Sequence, residues 1–222
     1  MTQVEPRFPD YTPAERRLDN AIHLIGVPAG VIAAAWLLAE VCRTDSGRLI
    51  VSMSVYAAGL IGMLGASAAY HLTRPGRTKE LLRRADHAMI YVMIAGSYTP
   101  FALNALAPPG GVALCVVIWT LAAVGITLKL LHPRRFERLS LALYLGMGWT
   151  IVIVIRPLIE RLPAGALGLL VGGGLVYSLG AFIYTRRRLK YHTAVWHAMV
   201  LVAAGMHVTA LYAAFIAASA AA

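Results

Sequence analysis

The sequence predicts an all-α integral membrane protein: a bundle of seven transmembrane helices with a cytoplasmic N-terminus and its C-terminus outside. Three observations carry this prediction. The 222-residue chain is 59% hydrophobic and only 14% charged, whereas an average soluble domain has roughly 25% charged residues. Seven stretches approach the ~20 apolar residues that a spanning helix needs: 21–42, 49–72, 87–107, 111–131, 139–156, 164–184 and 192–218. The 20 lysines and arginines divide 16 to 4 between alternate sides of these stretches, with the N-terminus on the basic side. Such a split in short loops fixes orientation by the positive-inside rule, and opposite sides for the two termini require an odd number of spans.

Each element follows in order. Residues 1–20 are a cytoplasmic segment with Glu5, Arg7, Asp10, Glu15, Arg16, Arg17 and Asp19. They contain no apolar core, so a cleavable signal peptide is not expected and the first span directs insertion. Residues 21–218 read as a single transmembrane domain without internal repeat or long linker. Arg74, Arg77, Lys79, Arg83 and Arg84 fill the connection between spans 2 and 3, and Pro100 is expected to kink span 3. The span over 139–156 is the shortest, at 18 residues. Glycines 59, 62 and 65, and 168, 172, 173 and 174, read as close helix packing. Cys42 and Cys115 read as free, inert thiols. The basic loops point to membrane lipids as partners through anionic headgroups. Without aromatic interleaving or a recognition motif they do not point to nucleic acid. The sparse charge within the spans weighs against a wide aqueous pore, and the broken, repeated helices of many transporters are missing.

The intramembrane polar residues gather at one level. Asp19 and His23 open span 1, Ser67 and His71 close span 2, Asp86 and His87 open span 3, and His192 and His197 open span 7. By the orientation above, all lie at cytoplasmic helix ends, where ionisable groups default to a functional reading. Ser67 and His71, four apart, share a helix face. Asp86 can orient a histidine, hold a water or act as a general base, and it can equally N-cap span 3. Histidines and a carboxylate converging on one point suit zinc, which keeps a water when catalytic. Asp19 and His23 also form an i,i+4 pair that can be a local hydrogen bond. His87 points about 100° away from Asp86 around the helix, and His132, beside Pro133, reads as solvated. His197 and His207 lie ~15 Å apart along an unbroken helix, so they do not share a metal. His192 and His197 are offset by about 140°, and Thr193 stands at the i,i+4 position.

The segments "AERRLDNAIHLIGVPAG", "SAAYHL", "LLRRADHAMIYVMIAGSYTPF" and "AVWHAMVLVAAGMHVTALY" resemble the bacterial hemolysin III family, a branch of the progestin and adipoQ receptor family. The likeness runs over roughly residues 15–212. It implies a seven-helix protein of the bacterial inner membrane with a zinc site near the cytoplasmic face. Ser67 and His71 match the S-x3-H motif, Asp86 the neighbouring aspartate, and His197 the second histidine of H-x3-H. Thr193 departs from that last motif. His192, displaced by one residue, is the substitute, with His87, His23 or a water next. The wider superfamily includes alkaline ceramidases. The resemblance therefore implies zinc-dependent hydrolysis of a lipid-like amide or ester: His71, His197 and His192 on the metal, Asp86 assisting as base, Ser67 supporting the water. The alternative is a non-enzymatic membrane-state regulator, or a pore-forming haemolysin, with a structural zinc.

Overall fold

The computed structural model describes residues 11–132 and 135–217. The N-terminal charges Glu5, Arg7 and Asp10, Pro133 and Arg134 of the basic loop, the side chain of Arg138, and Ala218 at the end of the last expected span lie outside the described residues. Among the described residues the chain is helical, with no strand. Helix α1 runs Pro13–Val41, α2 Gly47–Leu72, α3 Arg77–Ala105 and α4 Gly110–Leu131. They are followed by α5 Glu137–Trp149, a 3-10 turn Thr150–Val154, α6 Ile155–Arg161, α7 Ala164–Thr185 and α8 His192–Phe215. Among the described residues six segments are long and apolar enough to cross a membrane: α1, α2, α4, Leu139–Arg161, α7 and α8. The outward faces are apolar, with Ile25 and Ile32 each 69% exposed and Ile153 82% exposed. Large aliphatic side chains left in the open around a helical bundle are the pattern of a lipid-facing surface.

Helix α1 starts where Thr12 and Glu15 form a capping box ahead of Pro13 at the first helical position. Ser46 caps α2 through the Leu49 amide. Helix α1 packs between α2 and α8, α3 between α2 and α4, and α7 against α8. At the α2–α3 crossing, Gly59 and Gly96 let the backbones meet. A Cβ at Gly59 would stand 3.5 Å from the Val92 carbonyl oxygen, and one at Gly96 3.4 Å from that of Val55. Of the glycines read as packing sites, Gly62, Gly172 and Gly173 also face side chains of neighbouring helices, whereas Gly65, Gly168 and Gly174 face open space.

Two elements differ from the sequence-based expectation. Helix α3 begins at Arg77, ten residues before the expected start at 87. Nothing after Gly76 breaks a helix in "RTKELLRRAD". Lys79 fixes the turn by donating to the carbonyls of Tyr70, His71 and Thr73 at 2.9, 3.3 and 2.7 Å, satisfying the bare C-terminal end of α2. Asp86 therefore lies inside the helix and is not its cap. The short span expected over 139–156 is not one helix either: α5 gives way to the 3-10 turn at Thr150. The Tyr98 hydroxyl enters the break, donating to the Gly148 carbonyl at 2.7 Å and accepting from the Ile151 amide at 2.7 Å. It re-satisfies backbone groups that a broken helix would otherwise leave bare in lipid.

Candidate metal centre

The N-terminal ends of α1 and α8 and the C-terminal end of α2 meet at one end of the bundle. A clamp holds α1 to α8 there. The Glu15 carboxylate that completes the capping box also accepts the Tyr191 amide at 3.0 Å. Tyr191 is left-handed, with φ 61°, and starts α8. Thr193 donates to the Tyr11 hydroxyl at 2.9 Å. Burial pushes the Tyr11 phenol up from its ordinary pKa, against the pull of that hydrogen bond.

Behind the clamp, His23 of α1, His71 of α2 and His197 of α8 each offer a ring nitrogen, all within 4.8 Å of one another. Ring centroids are 4.9 Å apart for His23 and His71, and 4.4 Å for His197 with either partner. Asp19, one turn before His23, organises all three. Its carboxylate accepts from His71 Nδ1 at 2.8 Å and from His197 Nδ1 at 2.6 Å. Its backbone carbonyl accepts from His23 Nδ1 at 2.8 Å. With a proton on every Nδ1, every Nε2 carries a lone pair, that of His23 within reach of the Ser67 hydroxyl at 3.2 Å. This is the carboxylate–histidine arrangement that orients metal ligands and raises their basicity. The group is buried, with Asp19, His23 and His197 at 8%, 6% and 8% exposure.

The donor set fits a metal that takes imidazole, zinc foremost. Nitrogens around a tetrahedral zinc sit roughly 3.4 Å apart, from Zn–N bonds of about 2.0–2.1 Å, and the three ring nitrogens, within 4.8 Å of one another, stand near that spacing. Fixed tautomers and a neutralising carboxylate also give a physical reason for three imidazoles to be held together in an apolar bundle.

The expected residues are distributed around this centre as follows. His71 and His197 are in it. Ser67 lies beside it, but its hydroxyl is 3.2 Å from His23 Nε2 and its partner is not His71; it also faces Asp86. Asp86 lines the same cavity as the histidines. His192 is not brought to the trio. It is the first residue of α8, its Nδ1 donates to the Leu189 carbonyl at 3.0 Å, and its ring lies against Tyr11 and Tyr184. The five-residue step to His197 turns it away around the helix. His23 takes the third place. His87 stands by Asp86, 4.0 Å from its carboxylate. His207 is separate, donating through Nε2 to the Leu170 carbonyl at 3.2 Å. His132 is exposed in the α4–α5 loop. Asp19 was visible in the sequence only as a local partner of His23; its reach to α2 and α8 has no signature in spacing.

A cavity of about 940 Å³ opens at this end, with His23, His71, His197, Ser67 and Asp86 in its wall. A narrower apolar cavity of about 130 Å³ continues into the bundle past Phe101, Leu114 and Leu170. Met63, Ile90, Trp196 and Val200 line both.

The haemolysin-III-related family profile matches residues 14–208. The Hemolysin-3 homolog of Bacillus subtilis (strain 168) is 36% identical over 188 residues, covering 84% of this chain and 88% of that protein. Hemolysin-3 of Bacillus cereus is 35% identical over 202 residues, covering 90% and 91%. The human monocyte to macrophage differentiation factor is 29% identical over 167 residues, covering 71% and 68%. No solved structure matches the chain. The matched region contains Asp19, His23, His71 and His197, and the chain belongs to the haemolysin-III-related family.

Proposed function

We propose that the protein is a zinc-dependent hydrolase of a lipid-like amide or ester, working at the cytoplasmic face of a bacterial inner membrane. The observation that carries this reading is the Asp19-organised trio of His23, His71 and His197 in the wall of a cavity that also exposes Asp86. Those three histidines would hold the metal. Bound there, zinc supplies Lewis acidity that activates water toward a carbonyl carbon. Asp86 takes the proton of the attacking water and returns it to the leaving amine or alcohol. Ser67, set between His23 and Asp86, positions that water. The apolar cavity below accepts hydrocarbon, which supports a lipid as substrate.

The topology belongs to the same proposal. In this reading helix α3 is the seventh crossing, supported by its 29-residue length and its packing between α2 and α4. The 16 to 4 division of basic residues supports a cytoplasmic N-terminus and, with it, a cytoplasmic histidine centre.

The test is direct. Purified protein loaded with zinc is incubated with amide and ester lipids, and released fatty acid is measured. Wild type releases it and Asp86→Ala does not. Inertness of the wild type across both classes, with zinc bound, refutes the hydrolase.

A further inference from the structure

The mouth of the large cavity is unevenly charged. Five cations line it, Arg83, Lys129, Arg187, Arg188 and Lys190, against three carboxylates, Glu15, Asp86 and Glu137. Glu15 is occupied by the clamp to Thr12 and Tyr191. Glu137 lies between two arginines, 3.1 Å from Arg83 and 3.7 Å from Arg187. Lys129 is the informative member. It sits on the last turn of α4, only 5% exposed, in the cavity wall. Among the described residues its ammonium has no hydrogen-bond acceptor; Glu137 and Arg83 are the charges that act on it. Lysine is rarely buried without a partner, because an ammonium withdrawn from water needs a counter-charge. At a helix end it would ordinarily snorkel its head outward. An ammonium carried on a buried stem into a basic cavity, without a hydrogen-bond acceptor among the described residues, suits an anion supplied from outside.

We infer that this mouth is a phosphate-binding site, with Lys129 as its buried anchor and Arg188 and Lys190 at its rim. Lysine binds phosphate as a point charge, and the rim adds attraction without a fixed geometry. The occupant is a phosphate monoester headgroup of a lipid or free phosphate. The inference deepens the reading of the cavity as a ligand site and restricts its substrate to anionic species. It does not require the metal.

The purified full chain is titrated with phosphatidic acid, with phosphatidylcholine as the zwitterionic control, and separately with inorganic phosphate. Binding is followed by native mass spectrometry. Wild type prefers phosphatidic acid by at least about tenfold, and Lys129→Gln weakens it by about tenfold or more, the loss of one charge-assisted contact. Arg135→Gln, which removes a charge from the same loop region but not from the cavity wall, binds as wild type. Glu137→Gln binds more tightly, because it removes the carboxylate that pairs with Arg187 and acts on Lys129; this holds the inference to account even if Lys129→Gln does not fold. Lys129-dependent binding of phosphatidic acid that inorganic phosphate does not displace assigns the site to a lipid headgroup. Lys129-dependent binding of inorganic phosphate alone assigns it to the free ion. Either result upholds the site. Equal losses in Lys129→Gln and Arg135→Gln overturn it, as does tighter binding nowhere in the series. Zinc is measured on the same samples. Loss of the phosphate preference with zinc retained defeats this inference alone, and the preference retained without zinc defeats the metal reading alone.

Discussion

Replacing Asp19 by Asn keeps its size and removes the charge that His71 and His197 share. In the wild type one carboxylate accepts two imidazole N–H groups, from His71 at 2.8 Å and His197 at 2.6 Å. Each is a buried, charge-assisted hydrogen bond, a class worth about 1.5–3 kcal/mol. An amide has one oxygen to accept with, and its NH2 meets the second Nδ1 as a donor. One histidine must then change tautomer, moving its proton to the Nε2 that would face the metal, or swing away. Outer-shell partners of this kind are worth about 10–100-fold in metal affinity, and Asp19→Asn is expected to lose that much. Asp19→Ala, which frees both imidazoles, falls at the upper end of the range. The assay is competition between the detergent-purified protein and a chelating zinc indicator. The backbone carbonyl that holds His23 is untouched in both variants, so residual binding is expected. Affinity in Asp19→Asn within twofold of wild type refutes the assignment of Asp19 as organiser.

Other outcomes follow from the same geometry. His192→Ala leaves zinc affinity unchanged, because its ring lies against Tyr11 and Tyr184 outside the trio, while His23→Ala lowers it at least about tenfold; the same competition assay reads both. Tyr98→Phe removes the hydroxyl that serves Gly148 and Ile151. It is expected to cost about 1–3 kcal/mol for the backbone groups left bare, read as a lower unfolding temperature in detergent. Thr193→Val deletes the donor to Tyr11 and leaves the histidines in place. Protease cleavage near Tyr11 should become faster at unchanged zinc content.

The all-helical, membrane-spanning class was legible because it rests on a bulk quantity: apolar length sets a spanning segment. Element boundaries were less so. The basic stretch before Asp86 reads as a loop by charge, yet Lys79 turns it into helix by capping the end of α2. The break at Thr150 depends on a tyrosine 52 positions earlier in sequence, which periodicity cannot reveal. Of the centre, His71 and His197 stood out because imidazoles are rare in apolar spans. His192 drew attention by proximity along the chain, but a five-residue step on a helix is a turn away, not a second ligand. His23 and Asp19 looked self-sufficient as an i,i+4 pair. Only the packing of α1 between α2 and α8 shows that Asp19 spends its carboxylate on the other two helices.

Metal analysis tests the central claim most directly. The protein is purified without chelators, and zinc per chain is measured for wild type, His23→Ala, His71→Ala, His197→Ala, His132→Ala and His207→Ala. One zinc per chain is expected in wild type, His132→Ala and His207→Ala, and its loss in the other three. A wild type without zinc, or equal retention after His71→Ala and His197→Ala, would contradict it.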